Sequence, residues 1–172
     1  MVILAAAVPK LTVAESILTF LLLGKDPSRI FLSPMGFLAT TLMGTGAIIR
    51  LRCYREMGKQ FTIQVTLLKD HKLITTGPYS YVRHPSYTGA YMVLAGIAIW
   101  YTAQGSWLRE SEIYKNPLAW LVLAPEIAHF FLMTLLVIRR IPQEDEMMKK
   151  TFGKEWDEWA RKVPDRLFPG IY

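Results

Sequence analysis

Gly77-Pro-Tyr-Ser-Tyr-Val-Arg-His-Pro-Ser-Tyr-Thr-Gly89 lies where a basic, polar part of the chain gives way to an apolar one. Pro78 and Pro85 each lack an amide donor and push the residue before them out of helical geometry, so this stretch cannot be helix throughout and reads as a shaped loop. Arg83 and His84 supply charge and donors, and Tyr79, Tyr81 and Tyr87 supply flat faces with polar tips. Gly89 lets a neighbouring helix or a ligand approach closely. Such a loop suits a polar ligand at a membrane boundary. The same residues also suit plain anchoring, with Arg83 as a positive anchor and the tyrosines as an interfacial belt.

Outward from this loop the chain is apolar: 52% of its 172 residues are hydrophobic and 20% charged, a balance away from that of ordinary soluble proteins. The apolar residues cluster into Val2–Leu23, Phe31–Ile49, Tyr87–Tyr101 and Leu118–Ile138, each near the ~17–25 residues that span a bilayer. The reading is an all-α, polytopic membrane bundle of four transmembrane helices with a cytosolic loop and a C-terminal amphipathic helix. Pro9, Lys10 and Glu15 interrupt the first span, for which a cleaved leader is the competing reading, although no positive residue precedes it. Net charge is +6, concentrated in residues 50–83 and from Arg139 onward. Positive loops face the cytosol, and the third and fourth spans supply the even number of crossings between them, so loop 50–83 and both termini are expected on the cytosolic side. Positive charge placed beside apolar spans and balanced by acids in the tail does not suit nucleic acid. The single cysteine, Cys53, excludes an internal disulfide and a cysteine-built metal site, and no metal is expected.

Details along the chain sharpen the plan. Asp26-Pro27-Ser28 is a polar turn and Ser33-Pro34 a helix start, making the first two helices a hairpin. Gly36, Thr40 and Gly44 recur every four residues, a smooth stripe for close packing. The polar region from Arg50 to Thr76 contains an alternating, β-branched run, Thr62–Thr66, that reads as extended, and it is long enough to suggest a functional loop. Pro125 and Glu126 interrupt the fourth span, which is therefore a kinked helix or a helical hairpin. Were the helix to continue, Glu126, His129 and Arg140 would share a face. Arg139-Arg140-Ile141-Pro142 reads as a proline-led start of the last helix, with Glu144–Glu146 in its first turn where the dipole favours acids. Met148, Phe152, Trp156, Trp159 and Val163 then recur at helical spacing, an apolar face suited to lying on the membrane or closing over the loop.

Taken together, Gly77-Pro-Tyr79, Arg83-His84-Pro85-Ser86-Tyr87-x-Gly89, Arg140-x-x-x-Glu144-Asp145 and Phe152-Gly153-x-Glu155-Trp156 resemble the isoprenylcysteine carboxyl methyltransferase family of integral membrane enzymes, over residues 57–168. Phospholipid N-methyltransferases share a looser version of the His-Pro and acidic elements, and certain sterol reductases share an Arg-His-Pro-x-Tyr loop. The resemblance implies one membrane methyltransferase domain over 1–172, with an N-terminal hairpin, 1–49, and a catalytic portion, 50–172. It also implies residence in the endoplasmic reticulum and S-adenosyl-L-methionine held between the central loop and the tail. Carried over by position, Gln64, His71, Lys72, Leu73, Ile74, Tyr79, His84, Pro85, Ser86, Tyr87 and Glu144 are the cofactor contacts and Arg140 the substrate contact.

The implied reaction is methyl transfer to the C-terminal α-carboxylate of an S-prenylated cysteine, with processed prenylated proteins and membrane lipids as partners. An α-carboxyl group ionises near pH 3.3–3.7, so the nucleophile needs positioning and desolvation but no general base. The alternatives are a phospholipid amine methyltransferase, which needs a base, a nicotinamide-dependent sterol reductase, for which no dinucleotide glycine fingerprint is visible, and a non-enzymatic scaffold binding anionic lipid.

Overall fold

In the computed structural model, described for residues 12–58 and 72–171, helices begin where the sequence supplies starts, and two of them stop directly at glycines, Gly58 and Gly153. Helix α1 is Thr12–Leu21, and Leu23 and Gly24 close it at positive φ. The Asp26 carboxylate accepts the Ser28 amide at 2.9 Å and caps a 3-10 turn, Pro27–Arg29, as the polar turn requires. Helix α2, Pro34–Met57, has proline at its first position, and Ser33 Oγ accepts the Gly36 amide at 3.2 Å. Helix α3 is Pro85–Thr102, α4 the single turn Trp107–Glu110, α5 Trp120–Phe152 and α6 Lys154–Lys162. Among the described residues there is no strand, and Thr62–Thr66 lies outside them.

Three expectations change. Helix α2 does not end at Ile49: it continues through the basic residues to Met57, because Ile49, Cys53 and Met57 recur every four residues and all three join one apolar cluster. The fourth span is one continuous helix, with neither a hairpin at Pro125 nor a new start at Pro142. Each proline removes one donor, whereas ending the helix in apolar surroundings strands several backbone groups. The final amphipathic pattern is two helices, since Gly153, at φ 53°, separates α5 from α6. Of the described helices, the segment Pro117–Phe152 is long and apolar enough to cross a bilayer, and much of its surface is exposed hydrocarbon, Leu121, Val122, Phe131 and Leu135 among it.

The chain divides into two compact units, Met1–Met43 with Leu94–His129, and Gly44–Val93 with Phe130–Tyr172. In the first, a Cβ on Gly96 would lie 2.7 Å from the Ala39 carbonyl oxygen, so α3 approaches α2 at Ala39, beside the expected stripe, whose Gly36 is buried and whose Thr40 is exposed. Lys25 pairs with Glu112 at 3.1 Å, and Trp107 Nε1 donates to the Leu21 carbonyl at 2.8 Å. Glu126 and His129, which the unbroken helix does place on one face, are both exposed.

In the second unit a Cβ on Gly89 would lie 2.6 Å from the Gly46 carbonyl oxygen, so α2 and α3 touch backbone to backbone there. Cys53, Tyr79, Trp156, Trp159 and Val163 form its buried cluster, with Leu73, Ile74, Met148 and Phe152 packed around them. Trp156 and Trp159 are each 8% exposed, so α6 turns its apolar face inward over the central loop and away from any membrane surface.

Candidate functional site

The central loop is built from its glycine and prolines. Gly77 sits at φ 59°, with Glu56 Oε1 only 2.7 Å from where a Cβ would stand, so both conformation and space demand glycine. Gly77–Ser80 then forms a 3-10 turn led by Pro78. Pro85 starts α3, and the His84 carbonyl accepts the amides of Tyr87 and Thr88 at 3.0 and 3.2 Å. The chain beyond α6 straps this loop in place. The amides of Arg83 and His84 donate to the carbonyls of Asp165 and Arg166 at 2.9 and 2.8 Å, Arg83 Nη2 donates to the Pro164 carbonyl at 3.0 Å, and Thr88 Oγ1 donates to the Leu167 carbonyl at 2.5 Å.

Two carboxylates of α5 meet this loop. Glu144 Oε1 accepts from Tyr87 Oη at 2.6 Å and from Arg140 Nε at 2.7 Å, and its Oε2 lies 3.6 Å from His84 Nδ1, an ion-pair distance. Asp145 Oδ1 lies 2.9 Å from His84 Nε2, while its Oδ2 is 3.0 Å from Arg83 Nη1 and 3.2 Å from Arg166 Nε. Both ring nitrogens of His84 therefore face carboxylates. Burial alone pulls the His84 pKa down, but the hydrogen bonds and charges of Asp145 and Glu144 outweigh it, and the net shift is upward, toward the imidazolium. The His84 and Tyr87 rings stack at 5.7 Å. Beside them Arg50 Nη1 donates to the Ser86 carbonyl at 3.1 Å, and Arg50 Nη2 to Tyr54 Oη.

The expected site residues thus fall into three groups. Arg140, Glu144, His84 and Tyr87 form one charged cluster, with Pro85 and Ser86 in the turn between them. Tyr79, Leu73 and Ile74 belong to the adjoining apolar cluster, where Tyr79 Oη lies 2.9 Å from Met57 Sδ, its carbonyl accepts Trp159 Nε1 at 3.3 Å, and burial pushes its pKa up. Lys72 is exposed, and Gln64 and His71 lie outside the described residues. Sequence reasoning named Asp145 in the acidic motif without giving it a role, and passed over Arg166 and Arg50. The acids 144–146 also read as the first turn of a helix start that does not exist, whereas in mid-helix Asp145 is buried and Glu144 half-buried, each with specific partners. Arg166 follows a turn whose path no periodicity reveals, and Arg50 reads as one of several arginines in a polar stretch.

Chemically the cluster offers a carboxylate acceptor, a guanidinium whose Nε is committed and whose planar fork is thereby oriented, a flat aromatic pair and a confined imidazole. These define a helical protein with an apolar helix able to cross a bilayer and a charged cluster on that helix's polar C-terminal part. Residues 38–108 match the family described as the isoprenylcysteine carboxyl methyltransferase (ICMT) family. The chain is 29% identical over 126 residues to protein-S-isoprenylcysteine O-methyltransferase B of Arabidopsis thaliana, covering 72% of this chain and 54% of that protein. It is 30% identical over 137 residues to the protein-S-isoprenylcysteine O-methyltransferase of Schizosaccharomyces pombe, covering 78% and 48%. A Delta(14)-sterol reductase of Gibberella zeae is 28% identical over 118 residues, covering 59% and 24%. The family resemblance carried by the motifs is borne out, and the chain spans about half the length of the methyltransferases it matches.

Proposed function

We propose that this protein methylates the C-terminal α-carboxylate of S-prenylated cysteine with S-adenosyl-L-methionine as donor, using residues 50–172 as the catalytic portion of a four-span protein of the endoplasmic reticulum. The observation that carries the reading is the meeting of Arg140, Glu144, Tyr87 and His84 in one cluster, with His84 and Tyr87 inside the stretch that matches the isoprenylcysteine carboxyl methyltransferase family.

The donor set fits the cofactor. Glu144 suits its ammonium or ribose hydroxyls, the stacked His84 and Tyr87 rings and the Tyr79 wall suit its flat and apolar parts, and carboxylates near the cluster favour a sulfonium. When bound, the cofactor supplies an electrophilic methyl group. Arg140 holds the acceptor carboxylate: its Nε is tied to Glu144, which fixes the plane of the guanidinium and presents the terminal nitrogens as a fork. The acceptor's prenyl chain stays in lipid beside the exposed hydrocarbon of α5. Positioning and exclusion of water are the protein's contribution, and well-oriented reactants gain about 7–11 kcal/mol of barrier this way. With a carboxylate against each of its ring nitrogens, His84 has no free nitrogen to take a proton from an amine, which weighs against an amine acceptor.

Purified protein in vesicles, given labelled S-adenosyl-L-methionine and either N-acetyl-farnesylcysteine or phosphatidylethanolamine, tests this directly. Base-labile label on the prenylcysteine is expected. Label on the phospholipid alone establishes the amine reading, and cofactor uptake by neither arm leaves a lipid-binding scaffold.

A further inference from the structure

Asp145 is 7% exposed, and nothing in the proposed chemistry uses it. Its two oxygens nevertheless gather three separate parts of the second unit. Oδ1 takes His84 Nε2 from the loop, and Oδ2 takes Arg83 Nη1 from the loop and Arg166 Nε from the C-terminal strap, while the carboxylate itself rides on α5. A buried carboxylate is costly to desolvate, and this one is satisfied only if all three partners are in place together. The partner with the most consequence is His84. With Nε2 committed to Asp145, the ring has one orientation, and in that orientation Nδ1 faces Glu144 and the ring plane stacks on Tyr87.

We propose that Asp145 is a positioning residue: through Nε2 it sets the rotation of the His84 ring, so that Glu144, His84 and Tyr87 receive the methyl donor as a rigid unit. This rests on the methyltransferase reading and adds to it a residue that touches neither donor nor acceptor. Arg83 and Arg166 neutralise the carboxylate and tie the loop to the strap, so the positioning device closes only when the chain beyond α6 is docked. Arg83 is held in turn over the Trp156 ring, 5.6 Å from its centroid, which links the device to the buried cluster.

The test is a double-mutant cycle on the full chain in lipid nanodiscs, measuring S-adenosyl-L-methionine affinity by calorimetry, acceptor kcat and KM, and the melting temperature. Asp145→Asn is expected to weaken donor affinity about 10-fold, the worth of one charge-assisted hydrogen bond. Acceptor KM is expected to stay within about 2-fold. In a His84→Ala background the same change should cost less than about 2-fold, because its route to the donor is gone. Equal losses in both backgrounds, or a lowered melting temperature with unchanged donor affinity, would show a purely structural strut and overturn the proposal. If Asp145→Asn is not recovered folded, Asp145→Glu keeps the charge on both arginines while displacing Oδ1. Donor affinity must then fall about 3-fold or more, and unchanged affinity overturns the proposal. Failure of the wild-type protein to bind the donor is the separate result that removes the functional reading itself.

Discussion

Arg140 and Glu144 lie one helical turn apart on α5, joined at 2.7 Å, and yet they are assigned to different molecules, the acceptor and the donor. Arg140→Ala should therefore lower kcat/KM for N-acetyl-farnesylcysteine by about 10- to 100-fold while moving donor affinity much less, and Glu144→Gln should do the reverse. Calorimetric titration beside steady-state rates separates the two, and equal losses in both variants would mean the pair acts only as an ion pair holding the helix. His84 makes a prediction in pH. Its folded pKa is raised above the ordinary 6.5, so the stability it contributes is fully present below that value and is lost as pH rises through the higher folded value. The groups facing it are Asp145 and Glu144, with Arg83 and Arg166 on the far oxygen of Asp145. The melting-temperature difference between wild type and His84→Gln should shrink from about pH 6 to pH 8, and a difference independent of pH would place a neutral imidazole there.

At the scale of elements, glycines decide where helices touch and where they stop. Gly89 faces the Gly46 carbonyl across α2 and α3, where a Cβ would sit 2.6 Å from that oxygen and 2.9 Å from Arg50 Cγ. Gly89→Ala should force the two helices apart, costing about 1–3 kcal/mol of stability and displacing Arg50 from the Ser86 carbonyl. Gly153 is the contrasting case: a Cβ there meets nothing within 4 Å, but φ is 53°. Gly153→Ala should cost about 1–3 kcal/mol from backbone conformation alone, because φ 53° with ψ −117° lies outside the wells that L side chains adopt, read as a drop in melting temperature with the site intact.

For the whole molecule, the exposed hydrocarbon of α5 suits a bilayer, and the proposed topology puts the basic residues of 50–83 and of the tail on one side of it. The protein should resist extraction by high salt, which a scaffold held by anionic lipid would not. In a Cys53→Ala background, single cysteines at Arg52 and Lys150 should both react with an impermeant thiol reagent from the cytosolic side of sealed vesicles. Reaction from opposite sides would end the four-span topology.

The sequence by itself determined the helical class, the capped starts at Asp26 and Ser33, and the Arg-His-Pro turn with its tyrosines. Those follow from local rules: proline and glycine restrict the backbone, short polar side chains cap helices, and long apolar runs seek hydrocarbon. That Arg140, Glu144 and His84 share one site was legible only through the resemblance to a family motif, since nothing in their spacing brings residue 84 to residue 144. Tertiary structure alone decided that α5 runs unbroken through Pro125 and Pro142, that Trp156 and Trp159 face inward, and that Asp145 meets two arginines and His84 across the loop and the strap. The physical reason is that a helix's continuation and a carboxylate's partners depend on what surrounds them in space. A lost proline donor is tolerated where the rest of the ladder is kept, and a buried charge is tolerated where distant segments converge to satisfy it.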